Sequence, residues 1–380
     1  MRLPRGRIYL DCNATTPVAP EALADLQARM GECFANPSSS YREGREALEV
    51  LERARGEVAA LVGSLPGEVV FTGSGTEANH LGLQSAVAGR PGRRRVLMSA
   101  IEHPSVIGQR ERLEAMGAEV EELPVDPLGR LDLPRMDSLM GEDVAVVSLM
   151  TAHNETGVLQ PVEAAGAACR RWGALFHTDA VQAMGKVASP WGSAGPDYLS
   201  VAAHKFYGPK GVAALIVREG APVHPLLLGG GQERGRRAST QAVALVSAMG
   251  VAARLALDGL GAASALAALR DRLEAKLVSR FGAVLFGDRA PRLPNTTFFA
   301  VPGADASALV ERLDAEGFAL STGSACHTGR RGAPAVLLSM GVADLAPAGA
   351  LRVSLGRGTA PEELDAFLEA LPRAIGAARV

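Results

Sequence analysis

Lys205, in the run VAAHKFYGPKG, is the first side chain of this sequence with the means for covalent chemistry. Lysine forms Schiff bases with carbonyl cofactors, and burial or a neighbouring cation lowers its pKa until the free amine can act as a base. Alone, a lysine at a strand end is a solvated charge. Its weight comes from Asp179 in FHTDAVQ, which also follows an apolar run and has Gln182 three residues on. An acidic side chain held against the pyridine nitrogen turns a cofactor such as pyridoxal 5'-phosphate (PLP) into an electron sink, whereas a lone aspartate after a strand is more commonly a helix N-cap. A third element, FTGSGTEANH, runs from a strand through Gly73, Ser74, Gly75 and Thr76 into a helix, where glycines let backbone amides approach a phosphate. It matches neither the Walker nor the dinucleotide spacing, which leaves open a phosphate on another kind of cofactor. Last is Cys326 in STGSACHTGRRGAP, a Gly-, Ser- and Thr-rich stretch that reads as an exposed loop. The bland reading is a bystander thiol. The chemical one is a soft nucleophile on a loop that can reach a reacting centre and leave it again.

These residues need a scaffold that brings strand ends together. Short apolar or β-branched runs recur at 69–72, 95–99, 119–124, 144–150, 174–178, 198–203 and 211–217, most of them separated by helical patterns. The alternation predicts a seven-stranded, largely parallel sheet with helices on both faces. Only residues 204–210 join the last two strands, too few for a parallel crossover, so the final strand is expected to run antiparallel. Leu48, Leu51, Val58 and Leu61 mark one face of a helix ahead of the sheet. An Ala- and Leu-rich stretch from about 243 to 280 reads as one long helix leading out of it. The expected division is a large domain over 15–250 and a smaller α+β domain made of 1–14 and 251–380, with a site between them.

Composition agrees with a globular two-domain chain, since 47% of its 380 residues are hydrophobic and 21% charged. A net charge of −2 gives no general reason to expect nucleic acid or an acidic membrane as partner, and Arg93, Arg94 and Arg95 read as a solvated turn. No secretory leader is evident and no uninterrupted run approaches the roughly 20 apolar residues of a membrane span, so a cytoplasmic location is expected. Cys12, Cys33, Cys169 and Cys326 form no CxxC pair, which argues against a disulfide framework or a metal site; the first three read as packing residues.

Taken in order, the motifs resemble the NifS-like cysteine desulfurases of the class V aminotransferase group, nearly end to end. The matching stretches include YLDCNATTPV at 9–18, NPSS at 36–39, FTGSGTEAN at 71–79, IEHPSV at 101–106, NETGVLQPV at 154–162, HTDAVQAMGK at 177–186, HKFYGPKG at 204–211, GGGQERGRR at 229–237, LPNT at 293–296, GSAC at 323–326 and LRVSLGR at 351–357. The resemblance implies the PLP-dependent fold type I and gives each position a role. Lys205 would hold PLP, Asp179 would pair with its pyridine nitrogen, Gln182 would reach its phenolic oxygen, and Asn154 would touch the cofactor. His103 would stack on the ring and move protons. Gly75, Thr76 and His204 would cradle the phosphate, joined by Thr240 from the other subunit of a homodimer. Arg352, with Asn36 nearby, would clamp the carboxylate of L-cysteine, because a planar guanidinium suits a bidentate task. Cys326 would take the sulfur as a persulfide and pass it to an acceptor, such as an iron–sulfur scaffold or a thiolation enzyme.

The chain departs from the family pattern at several places. Ala202 stands where a serine is usual, two residues before His204, and Ser239 takes the glycine place of a Ser-Gly-Thr turn, where it either replaces a hydrogen bond or crowds the backbone. Tyr41 replaces a histidine after NPSS, and His153 an asparagine before Asn154. Several stretches also look like selenocysteine lyases. Animal-type lyases carry an acidic residue after the ring-stacking histidine, where this chain has Pro104, which favours L-cysteine over L-selenocysteine. Another class V aminotransferase would not need a loop thiol, and a non-catalytic scaffold would not need Lys205 with Asp179.

Overall fold

In a computed structural model, which describes residue 1, residues 6–322 and residues 332–378, all seven expected strands form one sheet. Its spatial order is Val69–Thr72, Ala213–Val217, Tyr198–Ala202, Leu175–Asp179, Val144–Ser148, Arg95–Ser99 and Glu119–Leu123. Neighbours pair in parallel except for Ala213–Val217, which runs antiparallel to both of its neighbours as the short connection requires.

The strands are apolar on both faces because both are covered. On one face Val69, Phe71, Leu199, Val201 and Ile216 pack against Leu51, Ala54 and Val58 of helix Arg42–Val62 and against Val246, Met249 and Ala253 of helix Val243–Asp258. On the other, Val70, Val96, Val146, Tyr198 and Leu215 pack against helix Gly75–Ala88. The two helices of the first layer touch closely: a Cβ at Gly250 would lie 2.7 Å from the Ala54 Cα. Leu48, assigned to the buried face, is exposed. The buried stripe runs through Gly44, Ala47, Leu51, Ala54, Val58 and Leu61, and Leu48 is turned off it by one residue.

The long helix is two. Helix Val243–Asp258 ends at a 3₁₀ turn, Gly259–Ala262, from which helix Ala263–Phe281 leads away. The whole stretch is long and apolar enough to cross a membrane by length and composition. Its first part, however, is a core helix of the sheet layer, and Leu273 and Leu277 of its second part enter a separate core with Phe299, Leu309, Val353 and Phe367. That second core covers an antiparallel sheet of Ser321–Thr322, Leu351–Ser354, Thr296–Ala300 and Val284–Leu285. Ile8–Tyr9 pairs in parallel with Phe318–Ala319 as a separate two-stranded sheet on the same core, from which the chain leads to Thr16, hydrogen-bonded to His204 at the end of the main sheet.

The consequence for chemistry is positional. The carboxyl ends of Val69–Thr72, Arg95–Ser99, Val144–Ser148, Leu175–Asp179 and Tyr198–Ala202 lie along one edge, and the segments leaving them carry Gly75, His103, Asn154, Asp179 and Lys205.

Candidate active site

Those residues surround one cavity of about 200 Å³, lined by Gly75, Thr76, Asn79, His103, Asn154, Asp179, Gln182, Ala202, His204 and Lys205 among others. A larger, mostly apolar cavity of about 380 Å³ adjoins Lys205 on another side, next to Cys12, Lys186 and Arg357. The convergent polar groups are in the smaller one.

Its phosphate-type end is the start of helix Gly75–Ala88. The Ser74 side chain accepts from the Glu77 amide, and Glu77 Oε2 accepts from the Gly73 amide, so the turn is held while its remaining amides stay free. A Cβ at Gly75 would come within 3.2 Å of Val181 Cγ2 and 3.4 Å of Ala202 Cβ, filling the cradle. His204, whose Nδ1 lies 3.2 Å from Thr15 Oγ1, is held neutral: burial first and Lys205 second bring it down to about 4. Ala202 lines the cavity without the family hydroxyl.

On the same cavity Asp179 is buried, with Oδ1 accepting from the Val181 amide at 2.9 Å and Oδ2 from Asn79 Nδ2 at 2.8 Å. Asn79 Nδ2 also donates to Ser105 Oγ at 2.8 Å, and Ser105 Oγ is 2.8 Å from His103 Nδ1. Asn79 and Ser105 lie in the matched stretches FTGSGTEAN and IEHPSV, but the resemblance gives neither of them a role. Glu102, buried beside His103, is pushed up to about 8 by burial and then by Asp179, so it keeps its proton at neutral pH.

Lys205 is half-buried. Burial, then the Arg352 cation, brings its amine down to about 8, against the pull of Asp179 and Asp11. Its Nζ donates to the carbonyls of Asn13 at 2.7 Å and Ala14 at 2.8 Å. Behind it Lys186 donates to Asn13 Oδ1 at 3.2 Å and to Gln182 Oε1 at 2.9 Å. The Asn13 backbone carbonyl can only accept, so the Gln182 NH₂ group must present its hydrogens to it and the Gln182 carbonyl is turned to Lys186. One of those hydrogens reaches the Asn13 carbonyl at 2.9 Å.

Arg352 does not line the cavity but adjoins it, donating to the Asn154 carbonyl at 2.9 Å and to Asp11 Oδ1 at 2.7 Å. Its Nε is buried without a partner, a donor available to a carboxylate. His153, the departure before Asn154, is structural: its Nδ1 accepts from the amides of Glu155 and Thr156, and burial lowers it to about 4. Asn36 sits apart in an exposed turn, where its Oδ1 accepts from the Ser38 amide. Thr240 is also exposed and outside the cavity lining, and Cys326 lies outside the described residues.

The segment leading to Thr240 is anchored firmly. Glu233 is buried in a bidentate ion pair with Arg55 at 2.7 and 3.0 Å, and Arg237 pairs with Glu77 of the cradle at 2.7 Å. Within it Ser239 has φ 101°, a backbone setting that favours glycine, so the serine crowds the turn rather than serving it. Residues held there cost of order 1–3 kcal/mol, partly offset because glycine frees the unfolded chain. Ser239→Gly is therefore expected to raise the free energy of urea unfolding by about 1 kcal/mol.

The arrangement fits PLP: a glycine cradle for a phosphate, a buried carboxylate for a pyridinium, an open imidazole, and an amine with a depressed pKa between them. Comparisons with known proteins agree with that fit. Residues 8–367 match the family model for aminotransferase class-V. The chain is 44% identical to a cysteine desulfurase of Cereibacter sphaeroides over 96% of its own length and 95% of the relative's. With cysteine desulfurase 2 of Trichormus variabilis the identity is 40%, over 96% and 92%. A solved NifS-like protein superimposes with a TM-score of 0.91 at 34% identity, covering 98% of this chain and all of the other. A NifS-like protein from Rickettsia africae does so at 0.88 and 30%, covering 97% and 99%.

Proposed function

We infer that this chain, a member of the aminotransferase class-V family and within it of the NifS-like cysteine desulfurases, converts L-cysteine to L-alanine and takes the sulfur onto Cys326. The observation that carries the reading is the gathering of Lys205, Asp179, His103 and the Gly75 cradle around one cavity. PLP bound there by Lys205, Asp179, Gln182, Gly75, Thr76 and His204 supplies the electron sink for charge developing at the substrate's α-carbon.

The chain's own residues do the rest. Arg352 offers the substrate carboxylate its unpaired Nε, and the Asp11 carboxylate fixes the plane of the guanidinium. A neutral Lys205 amine has two hydrogens, which the carbonyls of Asn13 and Ala14 both engage, leaving the lone pair free to take the α-proton. Cys326, as thiolate, attacks the substrate sulfur: a sulfur–sulfur bond forms, the substrate carbon–sulfur bond breaks, and its electron pair stays with carbon, which is then protonated to alanine. The enzyme is left with a persulfide for an acceptor thiol, on a protein such as an iron–sulfur scaffold or a thiolation enzyme.

A homodimer completes the reading. Thr240 is exposed and outside its own cavity lining, and large apolar side chains stand in solvent at Phe34, 83% exposed, and Leu228, 85% exposed, which a second copy of the chain would cover.

One experiment tests the whole. Purified protein, first shown by sedimentation to be a dimer, is given L-cysteine in a single turnover, and alanine is measured together with the mass of the Cys326 peptide. One added sulfur with stoichiometric alanine is the expected result. Alanine from L-selenocysteine alone, or none from either amino acid despite bound PLP, would overturn it.

A further inference from the structure

We infer that Asn79 and Ser105 are positioning residues that fix the tautomer of His103, presenting it to the cavity as a neutral imidazole with its proton on Nε2. The function proposed above enters only in saying what that proton serves.

The donor directions follow in sequence from one fixed end. The Asp179 carboxylate can only accept, and it receives the Val181 amide on Oδ1 and Asn79 on Oδ2. Turning the Asn79 amide over would set its carbonyl against a carboxylate oxygen, so its nitrogen must face Asp179. That nitrogen has a second hydrogen, and it goes to Ser105 Oγ at 2.8 Å. The Ser105 oxygen is thereby an acceptor from Asn79, and its own hydrogen is left for His103 Nδ1, also at 2.8 Å. The Ser105 backbone amide points at the same nitrogen, at 3.1 Å. Two donors converge on Nδ1, so Nδ1 bears no hydrogen and Nε2 does. Asn79 and Ser105 are both buried, which keeps water from substituting for either.

This limits what His103 can do. Becoming a cation would require a hydrogen on Nδ1, facing the fixed Ser105 amide and obliging the Ser105 hydroxyl to turn away. Partial desolvation of the ring at the cavity wall and the nearby Lys205 cation push the same way, against the pull of Asp179. Of the other titratable groups around it, His153 is buried and neutral, Glu102 keeps its proton at neutral pH, and His80 contacts the backbone of Ser105. His103 is then a fixed hydrogen-bond donor at Nε2, aimed at charge that develops in the cavity. It is not the shuttle that accepts a proton and returns it, which was the expectation from the resemblance.

The test is nitrogen NMR of the PLP-loaded enzyme labelled with ¹⁵N-histidine, with His103 assigned by comparison with His103→Gln. Wild-type protein is expected to show the Nε2–H neutral form between about pH 6 and 9, with no cation in that range. In Ser105→Ala and in Asn79→Ala a mixture of tautomers is expected, with the apparent pKa raised by up to about one unit, the equivalent of one hydrogen bond. Turnover should fall up to about tenfold with KM within about twofold, since the lost interaction acts on the transition state. An Nδ1–H signal in wild-type protein, titration to the cation near neutrality, or a wild-type His103 spectrum in Ser105→Ala would each overturn the inference. The spectrum does not depend on alanine being formed, so failure of the proposed reaction would be seen separately.

Discussion

Replacing Cys326 with alanine is expected to lower alanine formation from L-cysteine by about a thousandfold or more while leaving PLP content and visible absorbance unchanged. The size of the effect rests on there being no substitute among the described thiols. Cys12 is buried beside Gly356, and burial pushes its thiol up to about 12, so almost none is thiolate at neutral pH. Cys169 is buried in the helix Val162–Trp172 and is raised further, by burial and then by Asp197. Cys33 follows the helix Pro20–Glu32 beside Arg29 and lines neither cavity. Cys326→Ser should be as inactive, because a serine hydroxyl is not ionised at neutral pH and is a poor nucleophile toward sulfur. Alanine release and the absorbance spectrum, measured on the same preparation, decide the matter. Turnover within tenfold of wild type would mean a class V reaction that does not need Cys326, and the desulfurase reading would be lost.

Why Cys326 and Lys205 were legible in the sequence while Asn79, Ser105 and Lys186 were not is a matter of how each gains its meaning. A lysine after a strand, an aspartate after another and a glycine turn before a helix each carry a local signature, and parallel sheets bring strand ends together by rule. The seven strands were readable for the same reason: buried on both faces, they are short unbroken apolar runs. Asn79 lies in the helix Gly75–Ala88 and Ser105 beside the start of another, positions where amide and hydroxyl side chains are unremarkable. Their role exists only because Asp179, distant in sequence, ends its strand beside Asn79 on the same cavity that Asn79 and Ser105 line. Lys186 likewise matters through its bond to the Gln182 carbonyl, and Asn13 through carbonyl and side-chain oxygens that receive two lysines and a glutamine. The break at Gly259 was hidden because the run of alanine and leucine continues across it, and the helix period alone does not register a 3₁₀ turn. Thr240 and Asn36 are exposed on a single chain, so whatever they contribute requires another copy or a substrate to be seen.

Lys205→Ala should cut turnover by at least about 10⁴-fold, since a general base alone is worth about 10²–10⁴ and the covalent hold on PLP goes with it. The depressed pKa gives the wild-type side of this prediction its direction. With its amine brought from the usual 10.5 to about 8, a far larger share of Lys205 is uncharged at neutral pH than of an ordinary lysine. Because the reactive form is the deprotonated one, the rate at which apo-enzyme takes up PLP should rise with pH and level off above about 8. Lys205→Arg should not restore activity, as a guanidinium stays protonated and has no free lone pair to offer. Lys186 is the nearest possible stand-in, also brought down, to about 7, by burial and then by Lys205. Its nitrogen is committed to Asn13 Oδ1 and Gln182 Oε1, and moving it would release the amide that those contacts orient. Borohydride reduction followed by peptide mass analysis separates the two lysines. The expected result is the pyridoxyl mass on the Lys205 peptide of wild-type enzyme and on no peptide of Lys205→Ala; the same mass on the Lys186 peptide of wild-type enzyme would show that the anchoring lysine had been misassigned.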